Sequence, residues 1–293
     1  MKGAKSIYAT IQPAPSSRLN NMGRILFYIA WCLALTVSLC LGQAKTPASE
    51  QSSLPTISAA PSSVIVPPPA NYRFPNGQTY VYGVEWHLFN AGTARMGMRN
   101  DGGQQHVIST AVSSGVVNAL YKVNDHFEAV FDPHTFCSLH VVKHVEEGSH
   151  ARESQLHFDY ARHKSELDEK NLKSGETKHV ENDIPGCVTD VITGFYYLSS
   201  LPLQIGNVNT FTVNDGGKTN DVTARVEGRE KVKVPAGTFD TIRVKAEAVS
   251  GSFKGKGTVW AWFTDDGNHT PVQMRSKLGW GTLLFRLQRI EKQ

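Results

Sequence analysis

The 293 residues carry 30 basic and 26 acidic side chains, a formal charge of +4, and 40% of them are hydrophobic. The excess charge is local: Lys2, Lys5, Arg18 and Arg24 precede residue 45 with no acid among them, leaving 26 basic against 26 acidic side chains in the remainder. A balanced chain with scattered cations lacks the clustered basic footprint that nucleic acid requires, so no nucleic-acid partner is expected.

Chain order begins with residues 1–44, which read as a cleaved export signal. Arg24 is followed by an unbroken apolar run, Ile25 to Leu41, and by the small-x-small ending Gly42-Gln43-Ala44. The run is about 17 residues, at the short edge of what spans a bilayer. Met22 gives this signal a more compact start than Met1 does. A Pro/Ser-rich stretch follows, with no charged stop-transfer flank, so the expected product is periplasmic and does not span the membrane once the signal is removed. Cys40 raises the alternative of a lipoprotein anchor, but Leu39 before it suits lipid attachment poorly. Residues 45–70, ending in Pro67-Pro68-Pro69, cannot bury a core and read as a linker. Residues 71–293 then form a single β-rich domain, a length that one large β domain can reach.

Within that domain the recurrent pattern is period two. Tyr80, Tyr82, Val84, Trp86 and Leu88 share one face; Ile242, Val244, Ala246 and Ala248 alternate with Thr241, Arg243, Lys245 and Glu247. Leu156-Phe158-Tyr160 and Leu283-Phe285-Leu287 repeat it. Turn signals punctuate the runs at Asn100–Gly103, Asn124-Asp125, Asn214–Gly217, Pro235–Gly237 and Asp265–Asn268. The expected fold class is all-β with one helix: a curved antiparallel meander forming a sandwich or an open barrel. The helix is expected near residues 188–201, where Val188, Val191, Ile192, Phe195 and Leu198 recur at helical spacing. Thr189 or Asp190 can cap its start, and Pro202 ends it.

Chemistry is sparse. Cys32 and Cys40 leave with the signal, so Cys137 and Cys187 remain in an oxidising compartment and are expected to form a disulfide worth about 4 kcal/mol in the chain-entropy model. Eleven histidines invite a metal, but His140 and His144 on one strand face lie about 13 Å apart, too far to share an ion. Gly251–Gly257 is one residue short of a phosphate-binding loop and leads into a strand. No G-x-S-x-G elbow occurs, and Asp265–His269 reads as a hairpin turn. No catalytic residue, metal site or cofactor is expected. The aromatic face, Tyr80, Tyr82 and Trp86 with Trp260, Trp262 and Phe195–Tyr197, is expected first to fill the core; should the sheet and its helix leave a hollow interior, Tyr82, Trp86, Phe195, Trp260 and Trp262 are the candidates for lining an apolar ligand.

Several stretches together resemble a bacterial family of exported, β-rich envelope proteins known as domain of unknown function 3108. They are Val234-Pro235-Ala236-Gly237-Thr238-Phe239-Asp240-Thr241-Ile242-Arg243-Val244, Asp190 to Leu198 running on to Pro202-Leu203 and Gly206, Gly77 to Trp86 with Ala91-Gly92, and Trp260 to Phe263 with Asp266-Gly267 and Pro271-Val272. Ser199 and Ser200 stand where the family pattern has an arginine. The resemblance implies an envelope location and a curved antiparallel sheet, and it carries over no catalytic residue. The expected function is therefore a non-enzymatic binding protein for a lipid or other apolar small molecule. A structural scaffold that docks an envelope protein partner is the alternative, and a hydrolase or metalloenzyme stands behind both.

Overall fold

The computed structural model describes residues 64–87, 89–278 and 281–292. The expected signal and most of the linker lie outside the described residues. Within them, fourteen strands form one sheet. The first half of the chain contributes β1 (Gln78–Trp86), β2 (Phe89–Asp101), β3 (Gln104–Ser113), β4 (Asn124–Phe131), β5 (Ser138–Glu147), β6 (His150–Asp159), β7 (Lys164–Asn171) and β8 (Thr177–Asp183). The second half contributes β9 (Val208–Asp215), β10 (Lys218–Val234), β11 (Gly237–Ala248), β12 (Gly257–Thr264), β13 (Pro271–Leu278) and β14 (Gly281–Lys292). Two helices interrupt them, α1 (Gly115–Leu120) and α2 (Val191–Ser200).

Each half is an antiparallel meander, and the halves are joined where the first strand pairs with the last: Tyr82 opposes Leu287 and Val84 opposes Phe285. The order therefore runs from β8 through β1, across to β14, and down to β9. The sheet curls without closing, because β8 and β9 share no ladder. This is the all-β, open-barrel architecture that the alternation predicts. Along β14, Leu283, Phe285 and Leu287 point inward and are buried while their neighbours stay wetter; burying each such side chain contributes about 1.5–3 kcal/mol.

α2 plugs the interior. Asp190 caps it, its Oδ1 accepting from Ile192 N at 2.8 Å and Thr193 N at 3.2 Å. Its Oδ2 accepts from Ser138 Oγ at 2.7 Å, which ties the helix start to β5. Gly194 permits close packing, since a Cβ there would lie 3.0 Å from Thr189 Oγ1 and 3.1 Å from Phe211 Cε2. The expected Cys137–Cys187 disulfide is present and fastens the approach to α2 onto the β4–β5 connection.

The residues between the disulfide and α2 also link β5 to β9. Ser138 N donates to Val188 O at 2.9 Å on the β5 side; Thr189 N donates to Thr212 O at 3.0 Å and Asn214 N to Thr189 O at 2.7 Å on the β9 side. Two expectations need correction. Asn124-Asp125 is not a turn: both residues open β4, and the break in pairing falls earlier, at α1. The end of the linker is not free either, since Val64 N donates to Thr210 O and Val66 N to Tyr197 Oη. An extended apolar segment finds unpaired β9 carbonyls there, and α2 supplies the tyrosine.

Candidate functional site

Where α2 crosses the sheet, the interior is hollow. A cavity of about 300 Å³ lies between the helix and the inner faces of both halves, at the lower end of the range for ligand pockets. Phe195 and Leu198 form its helical wall; Tyr82, Met96 and Phe127 approach from the first half, and Phe211, Met274 and Phe285 from the second. The space exists because small residues meet opposite one another: Ala94, Ala111, Ala246 and Gly257 all border it. Had these been leucines, the chamber would be filled.

Few polar groups reach the chamber with free capacity. The Tyr82 hydroxyl donates to Pro271 O at 2.9 Å, and Ser109 Oγ donates to Arg95 O at 3.1 Å. The two charged residues along the wall are engaged elsewhere, Arg95 with Glu291 and Glu247 with Lys245. The wall is therefore apolar in chemistry as well as composition.

Of the aromatic residues expected to line such a space, Tyr82 and Phe195 do. Trp260 and Trp262 stand on the opposite face of β12, whose inward positions are Val259, Ala261 and Phe263. There Trp260 and Trp262 lie across from Lys245 and Arg243. Arg275 covers Trp260 with its guanidinium 4.3 Å from the ring centroid, and Trp262 Nε1 donates to Glu230 Oε1 at 2.9 Å. Trp86 sits at the end of β1 against His87, ring centroids 5.1 Å apart. It is not brought to the chamber wall either.

A second interior region is charged. Asp125 on β4, Lys143 and Glu147 on β5 and Asp215 on β9 are all buried. Lys143 of β5 pairs with Asp215 of β9 across the interior, and Asn214 Nδ2 reaches Ser165 Oγ of β7 at 3.5 Å. Arg152 on β6 binds Glu169 at 3.4 Å and also faces Glu147, Asp215 and Asp125. Asp125 and Glu147 lie on neighbouring strands, where Val123 pairs with Glu147 and Glu146 N donates to Asp125 Oδ1 at 3.1 Å. Burial raises the Asp125 carboxyl to about 7. Burial, and then the Asp125 charge, raise Glu147 to about 9. Burial also pushes Asp215 up, against the pull of Lys143. Tyr121 roofs this cluster, and Gly148 makes room for its ring: φ there is +54°, and a Cβ would lie 2.5 Å from Tyr121 Cε2.

Sequence reasoning missed this cluster. The available signal was Val141-Lys143-Val145-Glu147, in which two charges share a face with two valines. Among the described residues, no group of three or more His, Cys, Asp or Glu is placed to hold a metal ion, and no helix is long and apolar enough to cross a membrane.

Comparison with known proteins gives a consistent fold. The chain is similar to the crystal structure of a beta-barrel-like protein of domain of unknown function DUF1849 from Brucella abortus. The TM-score is 0.54 and the identity 8%, over 79% of this chain and all of that one. Weaker likenesses are to a protein from Bacteroides fragilis described as exported, with a YmcC-like fold (TM-score 0.33, 9% identity, 78% of this chain and all of that one), and to a protein from Parabacteroides distasonis described as a lipoprotein (TM-score 0.31, 10% identity, 78% of this chain and 99% of that one). No curated protein matches. Residues 81–288 match the profile of a family described as "Protein of unknown function (DUF3108)".

Proposed function

The chain belongs to the DUF3108 family of proteins of unknown function, and from that footing we propose that it is a non-enzymatic, periplasmic binding protein that holds an apolar, lipid-like molecule in the chamber beside α2. The observation that carries this reading is the hollow itself: about 300 Å³ of space walled by Phe195, Phe211, Met274 and Phe285, in a fold class whose interiors are ordinarily close-packed. Apolar walls around a recess partly open to solvent, with Val191 and Val259 exposed at its rim, are covered favourably by an apolar molecule. Export is supported by the apolar run Ile25–Leu41 and by a formed disulfide, which persists in oxidising compartments.

Native mass spectrometry of protein purified from its own host, followed by organic extraction, tests the proposal. A released hydrophobic adduct at a fixed ratio to the chain is expected. A bare mass from gently handled protein, with nothing in the extract and no uptake of added fatty acid, would overturn it.

A scaffold role has one observation in its favour. β8 ends the sheet with no strand on its outer side among the described residues. Its Lys178, Glu181 and Asp183 are, however, the charges that edge strands use to discourage pairing. Crosslinking in cells separates the readings, since a scaffold traps a defined protein and a carrier traps lipid.

A further inference from the structure

From β4 across to β11, the connections β1–β2, β3–β4, β11–β12 and β13–β14 all turn at one end of the sheet. One ladder row crosses that end: Phe89 opposes Trp86, Trp86 opposes Leu283, Leu283 opposes Ser276 and Ser276 opposes Val259. The chamber reaches the same level, for Ser276, Val259, Ala248 and Gly257 border it. Ala248 and Gly257 are the last residue of β11 and the first of β12, so the recess runs out to the β11–β12 connection.

This end exposes large apolar side chains. Phe89 is 66% exposed, Val116 73% and Leu120 66%, with Val249 and Val259 exposed beside the chamber. Val116 and Leu120 lie four residues apart on α1 and so share one of its faces. Val117 packs against the core from the other face, and Ser114 N holds the helix to β2 by donating to Ala91 O at 3.0 Å. Lysines join them: Lys254 and Lys256 stand exposed in the β11–β12 connection, and Lys277 near the end of β13. That connection is fixed at its root, where Val249 N donates to Asp221 O at 2.8 Å and Asp221 N to Ser250 Oγ at 2.7 Å. Acids on the neighbouring strands are engaged, Glu85 with Arg286, Glu247 with Lys245 and Asp221 with the Ser250 hydroxyl.

We propose that this end docks on an anionic phospholipid bilayer, Phe89, Val116 and Leu120 entering the interface while Lys254, Lys256 and Lys277 meet the phosphates. Single exposed apolar residues are ordinary. A helix that buries none of its own residues and turns two apolar side chains outward, on the rim of an apolar chamber, is a docking feature. The lysines select the occupant. An apolar patch on a protein partner has no general need of them, whereas an anionic leaflet attracts each one that comes within a Debye length. Docking sets the chamber mouth against the bilayer, so an apolar molecule passes between the two with little exposure to water. The purpose of docking rests on the reading that the chamber holds a lipid-like molecule; the membrane contact itself does not.

The test is flotation of protein recovered from its own host with vesicles of phosphatidylcholine, alone or carrying about 30% phosphatidylglycerol. The wild type should float with the mixed vesicles at low salt, bind phosphatidylcholine alone at least about tenfold more weakly, and be released as salt rises. Lys254→Glu with Lys256→Glu, and separately Val116→Ser with Leu120→Ser, should each weaken binding to the mixed vesicles by about tenfold or more. Both variants should take up an apolar dye as the wild type does, since none of the four residues borders the chamber. Should either fail to fold, Phe89→Trp with brominated phosphatidylglycerol decides: quenching beyond that of the wild type supports docking, and its absence refutes it. A wild type that floats with neither vesicle, variants that float undiminished, or self-association abolished by Val116→Ser with Leu120→Ser in place of vesicle binding would overturn the proposal. Vesicle binding by a wild type that takes up no dye would support docking and overturn the chamber reading, so the two fail separately.

Discussion

The two interior regions follow one rule and reach opposite ends. In both, inward positions alternate along antiparallel strands. Beside α2 those positions carry Ala94, Ala111, Ala246 and Phe285, and the result is an apolar hollow. Between β4–β5 and β9 they carry Asp125, Lys143, Glu147 and Asp215, and the result is a buried network of charge. The regions adjoin: Asp125 lies opposite Ala111 on the neighbouring strand, and Phe127 borders the chamber while Lys143 Nζ lies 5.9 Å from its ring centroid. An apolar recess gains when more apolar volume fills it, whereas a charged interior holds its shape only while every partner remains. The hollow region should therefore accept added volume, and the charged region should not accept a missing charge.

The largest expected effect breaks the charged side. Asp215→Ala leaves Lys143 buried without its partner and should cost about 3–5 kcal/mol in urea unfolding. Replacing both residues, as Lys143→Met with Asp215→Leu, should recover much of that loss; a double variant as weak as the single one would mean that the ion pair is not the source. Next comes the disulfide. Cys137→Ser with Cys187→Ser should lower stability by about 4 kcal/mol, the loop between them spanning 50 residues, and should loosen the approach to α2 first by hydrogen exchange.

Smaller still, Asp190→Ala should cost about 1–2 kcal/mol by uncapping α2 and removing the acceptor of the Ser138 hydroxyl proton, a change read in the same unfolding experiment. The chamber side responds with the opposite sign: Ala246→Met, which adds volume to the hollow, should leave stability unchanged or raise it by about 0.5–2 kcal/mol. A large loss there would show that the wall has no space to give.

Much of the fold was legible in the residues because two-residue alternation with glycine and asparagine turns leaves few architectures open. α2 was legible as well, since a capping aspartate, an apolar helical spacing and a following proline agree. What escaped was phase. Along Thr258–Phe263 the large residues are Trp260 and Trp262, which suggests that they face inward. Register instead aligns Val259, Ala261 and Phe263 with the chamber-side row of Ala246, Val244 and Ile242, and the tryptophans take the opposite face, where Trp262 is buried in the core and Arg275 covers Trp260. Large side chains are no guide to a hollow, which is made by the small ones. Asn124-Asp125 misled for a related reason. Turn chemistry and a buried, hydrogen-bonded aspartate look the same until Glu147, more than twenty residues on, is brought beside it. α1 left no signature, as Ser114 makes no side-chain cap and none of its residues is buried.

The most direct test of the chamber as a binding site is titration of delipidated protein with an environment-sensitive apolar dye, comparing the wild type with Ala111→Trp, which fills the hollow, and Trp260→Ala, which alters only the outer face. Wild type and Trp260→Ala should bind alike, while Ala111→Trp, still folded by circular dichroism, should lose at least about tenfold in affinity, or 1.4 kcal/mol. Undiminished binding by Ala111→Trp, or its loss in Trp260→Ala, would place the apolar site outside the chamber and contradict the account.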